Sequence, residues 1–456
     1  MEYKNLSIEE KSIKNKIGKW PKMPIILLGA SFSIIIILLR VLIYLATNNS
    51  KLRANHIKKN KINFSSFAPT ELNLDIITDL SSKIYFTFKE SNSPQDPVEL
   101  NTFSYFGKIY KNLSYVENNV IYNSFKKGGE NYKEDIGNIN NGTDYTPNDR
   151  NMYDLYIPKY SERRKKEING VILWIHGGAW IEGTKEGNDL LCQFYSQVGY
   201  ISATLGYTLL VPGKYSEFNI YRMIDEITAC IKAIKQELIS RGFEGDKLRL
   251  AIGGYSAGAH LTLLYSYLIS QNIIPLKFII DIAGPIGLNM KYFQKLADGV
   301  KPFNNITDVN VIENAVKEGK IIEIVPAITI LNFMNLFLGN RYTSENITSI
   351  LDEDGNIKTE NEIYKQMLKA LKYADVTQIE DQNPNLPTIC IYGGKDDTVG
   401  VTAYAYLKNT TKRKLNLIYS KYEGHMLILP KTIDGADKMS DMSASIMEYS
   451  KKYFFE

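Results

Sequence analysis

The longest apolar run lies near the start of the chain. Residues 24–46 read PIILLGASFSIIIILLRVLIYLA, which as a helix would be about 34 Å long, enough for a hydrocarbon core of roughly 30 Å. Arg40 lies near the C-terminal end of the run, where a long side chain can reach the interface. A cleaved signal peptide or a buried core helix would also be apolar, but the run is longer than a usual signal core and no Ala-x-Ala-like site follows it. We therefore predict one transmembrane helix over 24–46.

The charges flanking this run do not orient it. Cytoplasmic flanks carry an excess of Lys and Arg. Six lysines precede the run and five basic residues follow it: Lys4, Lys11, Lys14, Lys16, Lys19 and Lys22, then Lys51, Arg53, Lys58, Lys59 and Lys61. The sequence thus predicts a single-pass membrane protein and leaves the side of the following domain open.

The second part of the chain alternates between strand-like and helix-like patterns. Short apolar runs typical of strands are Met152–Ile157, Gly170–Ile175, Ile201–Leu205, Lys247–Ile252, Lys277–Ile282, Pro387–Tyr392 and Leu415–Tyr419. Segments with helical spacing lie between them at Asp189–Gln197, Ile220–Ser240 and Ala259–Leu268. The alternation predicts an α/β fold with a mostly parallel, doubly wound sheet. The basic run 163–166 predicts a solvated hairpin between the first two strands.

A long stretch interrupts this alternation. About 100 residues separate strand 277–282 from the loop after strand 387–392, more than one crossover needs, so we predict an inserted helical cap over about 286–383. Its apolar centre, 321–338, contains Glu323, Pro326 and Asn332 and is a poor second span. It is expected to be either a lid over an acyl pocket or ordinary cap core. The predicted divisions are a basic segment 1–23, the anchor 24–46, a poorly patterned region 47–147 and a catalytic domain 148–456.

Composition excludes several classes of function. The 54 basic and 50 acidic residues give a net charge of +4, too small to indicate a nucleic-acid partner. Four histidines and no Cys/His cluster leave little for a metal site, and no cofactor is expected. Cys192, Cys230 and Cys390 fall in predicted helices or strands, so we expect free, buried thiols.

A candidate nucleophile lies where a strand runs into a helix. Strand residues 250–252 lead into Gly254-Tyr255-Ser256-Ala257-Gly258, and a helical pattern follows. Glycines two residues before and after a serine allow the sharp turn that exposes a nucleophilic hydroxyl above a sheet. This context makes Ser256 the predicted nucleophile.

A second motif, His176-Gly177-Gly178-Ala179-Trp180, follows strand 170–175. Consecutive glycines let backbone N–H groups point at a developing oxyanion, and each such donor is worth about 2.7 to 4 kcal/mol in acyl transfer. The motif precedes the serine, which is the order that this architecture requires. His176 itself is expected to have a structural role.

An acid and a histidine should follow the serine in that order. Strand 387–392 leads into Gly393-Gly394-Lys395-Asp396-Asp397, where Asp396 is the predicted acid and Asp397 the reserve. His425, after strand 415–419, is the only histidine beyond the region of the serine and is the predicted general base. His56 and His260 are expected to have packing or surface roles.

These motifs together resemble the esterase/lipase branch of the α/β-hydrolases, which includes hormone-sensitive-lipase-like carboxylesterases. The motifs are HGGAW, GYSAGAH, YGGKDDTV and the Gly-His pair at His425, and the resemblance covers roughly residue 152 to the C-terminus. It implies that the N–H groups of Gly178, Ala179 and Ala257 form the oxyanion hole. Many members have a third glycine where this chain has Ala179, a change that keeps the backbone donor.

The expected function is a membrane-anchored serine hydrolase that cleaves a small-molecule or lipid carboxylic ester through an acyl-enzyme. HGGAW is also similar to the HGGxW form of kynurenine formamidases, and GAWIEG with SAGAH is similar to prenylcysteine methylesterases. Two alternatives therefore stay open. One is an amidase or formamidase, and the other is a non-catalytic binding protein of the same fold, which would be expected to lack a triad member or the oxyanion glycines.

Overall fold

The structure is a computed structural model. It describes residues 98–99, 107–124, 142–197, 199–269, 273–287, 327–353 and 355–393, and then 396, 398–399, 403–404, 407–408, 411–420, 424–425, 427, 431–433, 436–438 and 441–455. The predicted anchor 24–46, His56 and Asp397 lie outside these ranges. No helix within them is both long and apolar enough to cross a bilayer.

The described residues form a nine-stranded sheet with the order β1-β2-β3-β5-β4-β6-β7-β8-β9. Its strands are β1 (Val98–Glu99), β2 (Lys108–Ser114), β3 (Met152–Ile157), β4 (Asn169–Ile175), β5 (Ile201–Leu205), β6 (Leu248–Tyr255), β7 (Leu276–Ile282), β8 (Thr388–Gly393) and β9 (Leu415–Ser420). The strands from β5 to β9 pair in parallel, and β1, β2 and β3 are antiparallel. This arrangement confirms an α/β fold with a mostly parallel sheet. Strands β1 and β2 precede residue 148, so the sheet also takes strands from the poorly patterned region.

Helices follow most strands. They are α1 (Lys159–Arg163), α2 (Asp189–Gln197), α3 (Ile220–Ser240), α4 (Ala257–Leu268), α5 (Ala327–Phe337), α6 (Ser344–Ser349), α7 (Glu362–Leu371) and α8 (Asp441–Phe455). A separate two-stranded ribbon pairs β10 (Lys431–Ile433) with β11 (Ala436–Lys438). The predicted bounds of α2, α3, β3 and β5 are confirmed to the residue.

The predicted hairpin after β3 is wrong. Residues 159–163 form the short helix α1 instead, and β3 pairs with β2 and β5 rather than with β4. Pro158 is the N-cap residue of this helix, with φ −68° and ψ 149°, a position that proline tolerates because the first N–H groups of a helix have no acceptor within it. A hairpin would require β3 and β4 to be neighbours, and β5 lies between them.

Alternate residues of the central strands divide the core into two layers. Val171, Leu173 and Ile175 of β4 face one layer, with α3, α4 and α5, while Ile172 and Trp174 face the other, with α2 and α8. This is the side-chain period of a strand buried on both faces. Helices α5, α6 and α7 lie in the segment between β7 and β8, and we call them the cap. The hydroxyl of Tyr221 on α3 donates to the carbonyl of Ala370 on α7, which ties the cap to the first layer.

Candidate active site

Ser256 lies at the turn between β6 and α4. Its φ and ψ are 55° and −119°, a left-handed conformation that costs a residue other than glycine roughly 1 to 3 kcal/mol and requires support from its surroundings. The Ser256 N–H donates to the carbonyl of Ile282 on the neighbouring strand at 2.8 Å, and the Ser256 carbonyl accepts from the N–H groups of Ala259 and His260. The strained turn is therefore fixed by the sheet on one side and by α4 on the other.

The glycines around this turn are required by close approaches. A methyl group on Gly254 would overlap the backbone of Gly258, and one on Gly258 would overlap the carbonyl of Ile175 at the end of β4. A Cβ atom on Gly177 would lie 2.7 Å from the Tyr255 carbonyl oxygen and 3.3 Å from Ser256 Cβ. The loop after β4 thus lies directly against the serine, as the order of the motifs predicts.

Residues 176–183 form this loop, which we call the oxyanion loop. Gly178, Ala179 and Trp180 have φ values of 117°, 48° and 61°, and the Gly178 carbonyl accepts from the N–H groups of Ile181 and Glu182 at 3.0 Å each. Among the described residues, no acceptor is present for the N–H groups of Gly178, Ala179 or Ala257. Within the described part of the chain these three N–H groups are therefore available to a ligand, and their role as an oxyanion hole stays a prediction.

His176 fastens the base of the oxyanion loop. Its Nδ1 lies 2.7 Å from the Gly177 carbonyl oxygen, its Nε2 lies 3.1 Å from the Arg150 guanidinium, and its ring stacks on Tyr207 with centroids 4.2 Å apart. Burial, and then the charge of Arg150, lower the pKa of His176 to about 3. The imidazole is therefore neutral, and the two contacts assign the proton to Nδ1, which donates to Gly177. This geometry agrees with the predicted structural role.

Arg150 was not identified from the sequence. Its guanidinium donates to the Gly183 carbonyl at 2.8 Å and to the Tyr207 carbonyl at 3.1 Å, besides contacting His176. The Tyr207 hydroxyl donates in turn to the His176 carbonyl at 3.0 Å. One cation thus joins both ends of the oxyanion loop to the segment after β5. No local motif marks Arg150, because its partners lie 26 to 57 residues away in the chain.

The predicted acid and base lie in contact. Asp396 follows β8, is 1% exposed, and its Oδ1 accepts from the N–H groups of Thr398 and Val399 at 2.8 Å each. Its Oδ2 lies 2.8 Å from Nδ1 of His425. A carboxylate held by its own turn in this way can orient a histidine and leave the other ring nitrogen, Nε2, to accept a proton.

Tyr255 connects this pair to the serine. Its hydroxyl donates to the His425 carbonyl at 2.7 Å, and the two rings lie 5.1 Å apart. Because Tyr255 directly precedes Ser256 in the chain, this hydrogen bond holds the backbone of His425 beside the turn that carries the serine. The structure therefore brings Ser256, His425 and Asp396 to one edge of the sheet. Sequence reasoning missed Tyr255, because it occupies an x position of the Gly-x-Ser-x-Gly motif, where the turn requires no particular residue.

The structure also describes His260 and the three cysteines, for which the sequence made predictions. His260 on α4 is fully buried, donates from Nε2 to the Ala374 carbonyl at 2.9 Å, and packs edge-on against Trp180. Burial lowers its pKa to about 4, so it is neutral and has the predicted packing role. The three cysteines are free and buried, as predicted.

The sequence matches the family model described as BD-FAE over residues 153–410. This match covers more than half of the chain and includes the oxyanion loop, Ser256 and Asp396, and it ends before His425.

Two curated relatives come from Arabidopsis thaliana. "Probable isoprenylcysteine alpha-carbonyl methylesterase" is 33% identical over 117 residues, covering 26% of this chain and 22% of the relative. "Isoprenylcysteine alpha-carbonyl methylesterase" is 31% identical over 117 residues, covering 26% and 25%. The chain thus spans about a quarter of the length of these relatives. Among solved structures, esterase B from Lactobacillus rhamnosis has a TM-score of 0.46 and 13% identity, covering 83% of this chain and 93% of that chain.

Proposed function

Because the chain belongs to the BD-FAE family, in the esterase/lipase group of α/β-hydrolases, we propose that it is a serine hydrolase that cleaves carboxylic esters through an acyl-enzyme. The observation that carries the proposal is the 2.8 Å contact of His425 with Asp396 beside the strained turn of Ser256. A serine hydroxyl at a strained turn, an oriented imidazole and backbone N–H donors are the groups that acyl transfer requires.

The proposed reaction has two halves. Nε2 of His425 removes the Ser256 proton as Oγ attacks the ester carbonyl, and the N–H groups of Gly178, Ala179 and Ala257 stabilise the oxyanion. The imidazolium then donates its proton to the leaving alcohol. In the second half, His425 activates water, which attacks the acyl-enzyme and releases the acid. Asp396 keeps the imidazole in the required tautomer and stabilises its positive charge.

Hydrolysis of p-nitrophenyl butyrate by the full-length chain tests this proposal. Ser256→Ala should lower kcat by about 10⁶-fold, the scale seen when a triad serine is removed. Ser202→Ala is a matched control, because its hydroxyl is buried in β5 and makes no hydrogen bond within the described structure. Equal activity of Ser256→Ala and Ser202→Ala would contradict the proposal.

A narrower candidate is a methylesterase acting on isoprenylcysteine methyl esters. It is supported by the methylesterase names of the two Arabidopsis thaliana relatives, which match about a quarter of this chain. The rival chemistry is amide hydrolysis, as in formamidases, because a serine triad can cleave either bond. Comparing kcat/KM for N-acetyl-S-farnesylcysteine methyl ester, p-nitrophenyl butyrate and N-formylkynurenine distinguishes the three. Preference for the formyl amide would overturn the assignment to esters.

We also propose that residues 24–46 anchor the enzyme to a membrane, on the support of the apolar run alone. A lipid ester would be reached most readily by an enzyme held at the bilayer. The full-length chain should stay in the membrane pellet after alkaline carbonate extraction, and a variant without residues 1–46 should not. Release of both proteins would contradict the anchor and leave the esterase proposal unaffected.

A further inference from the structure

We infer that the cap sets the geometry of the oxyanion loop through the side chain of Trp180. In this view Trp180 and Phe337 are positioning residues for the reaction, acting through the N–H groups of Gly178 and Ala179. The inference rests on the proposed function, and it adds that the cap takes part in oxyanion stabilisation.

The backbone conformation of the loop needs external support. Ala179 and Trp180 are consecutive residues with φ values of 48° and 61°, a region that residues with a Cβ atom rarely adopt. The Trp180 carbonyl accepts from the Leu210 N–H at 2.9 Å, which fixes the backbone on one side. The φ torsion of Ala179 adjoins the peptide plane that carries the Ala179 N–H, and the Gly178 N–H lies in the next plane back along the same short loop. A movement of Trp180 is therefore passed back along the loop to both donors. Whatever holds the Trp180 side chain therefore also aims the two donors.

The Trp180 side chain is held by aromatic rings from two elements. Its ring centroid lies 4.8 Å from Phe337 and 6.0 Å from Phe333, both on cap helix α5, and all of these contacts are edge-to-face. On the other side it lies 5.3 Å from His260, one turn after Ser256 on α4, at an interplanar angle of 88°. Trp180 is 6% exposed. The ring is thus enclosed between the cap and the nucleophile helix.

Packing rather than hydrogen bonding holds this ring. Trp180 Nε1 is buried and makes no hydrogen bond within the described part of the chain, and the same is true of His260 Nδ1. His260 uses its Nε2 for the Ala374 carbonyl, just after α7 of the cap. Since no directional bond fixes the indole, its position depends on the shape of the rings around it. A change in Phe337 should therefore move the oxyanion loop.

Phe337 could position the oxyanion loop or line an acyl pocket, and the two roles predict different kinetics. If Phe337 positions the oxyanion donors, a substitution should lower kcat by the same factor for every acyl chain and leave KM unchanged, because the donors act in the transition state. If Phe337 instead lines an acyl pocket, the effect should grow with acyl length and fall mainly on KM. A purely structural role would lower the melting temperature without either change.

The test is Phe337→Leu in the full-length chain with p-nitrophenyl acetate, butyrate and octanoate. We expect kcat to fall by about 10- to 100-fold for all three esters, with a parallel fall in the rate of fluorophosphonate labelling. Phe454→Leu is the matched control. Phe454 is 2% exposed and packs edge-to-face on Phe278 at 4.9 Å, in the opposite layer of the sheet. It should lower the melting temperature with no change in kcat.

If Phe337→Leu fails to fold, Trp180→Phe is the second variant, because phenylalanine keeps an aromatic ring between the cap and α4. Trp180→Phe should lower kcat for the three esters by a common factor. An unchanged kcat in a folded variant, or a loss that grows with acyl length, would overturn the inference while leaving the esterase proposal intact. A wild-type chain that neither hydrolyses the esters nor labels would contradict the proposed function, and the inference with it.

Discussion

The two halves of the candidate site are held in different ways. The oxyanion loop and Ser256 are fixed by groups from distant parts of the chain, including Arg150, Tyr207 and the strand residue Ile282. Asp396 and His425 are held by one turn, one carboxylate contact and the Tyr255 hydroxyl. Substitutions that disturb the oxyanion loop should therefore lower both the melting temperature and kcat. Substitutions of Asp396 or His425 should lower mainly kcat.

The largest effect is expected at His425. His425→Ala should lower kcat by about 10⁶-fold, because the serine loses its base. Its side chain is 17% exposed and its backbone carbonyl still accepts from the Tyr255 hydroxyl in the variant, so the melting temperature should fall less than in Arg150→Met. Steady-state kinetics and thermal unfolding of the same preparation check both statements. A large fall in melting temperature would show that the His425 side chain stabilises the fold as well as serving the reaction.

Asp396→Asn should have the next largest effect. The amide cannot stabilise the imidazolium and favours the wrong tautomer, so we expect kcat to fall by about 10⁴-fold. KM for p-nitrophenyl butyrate should stay the same, because Asp396 contacts His425 and not the ester. Retention of most of the wild-type kcat would point to another acid, and Asp397→Asn is the variant to examine beside it.

Arg150→Met should have a smaller effect on rate and a larger effect on stability. It removes the donor of two part-buried hydrogen bonds, to the carbonyls of Gly183 and Tyr207, at a cost of up to about 3 kcal/mol each. A shift of the oxyanion loop should lower kcat by roughly 10- to 100-fold. Retention of both the wild-type kcat and the wild-type melting temperature would argue against this role for Arg150.

The smallest effect on kcat is expected at Asp281, which lies away from the site and should affect the pH dependence of stability instead. This residue is fully buried, its Oδ1 accepts from the Gly284 N–H at 3.0 Å, and its Oδ2 lies 2.8 Å from the Tyr392 hydroxyl. Burial raises its pKa to about 7. The folded chain then holds a proton that the unfolded chain releases near pH 4, so this stabilising contribution is lost as pH rises from about 4 to about 7.

Asp281→Asn mimics the protonated acid, and its amide can donate to the Tyr392 hydroxyl. Its melting temperature relative to wild type should therefore increase between about pH 5 and about pH 8, with kcat unchanged. Asp281→Ala is the control, since it leaves Gly284 and Tyr392 without this partner. A difference between Asp281→Asn and wild type that is independent of pH would contradict the assigned protonation.

The sequence predicted the central strands and the placement of Ser256, because buried parallel strands are continuous apolar runs and the motifs are local. Strand β2 was missed. Its Lys111 is buried with Asp189 at 3.0 Å and Asp154 at 3.6 Å, and a buried ion pair interrupts the apolar pattern by which strands are found. Arg150 was missed for a related reason, since its partners converge only in the folded chain.

The most direct measurement is the site of a covalent adduct. The full-length chain is treated with a fluorophosphonate, digested, and mapped by mass spectrometry, and the reaction is repeated with His425→Ala. An activated serine predicts one phosphonylated residue, Ser256, with labelling strongly slowed in the His425 variant. An adduct on another residue, or equal labelling of Ser256 in both proteins, would contradict the assignment of Ser256 and His425 as nucleophile and base.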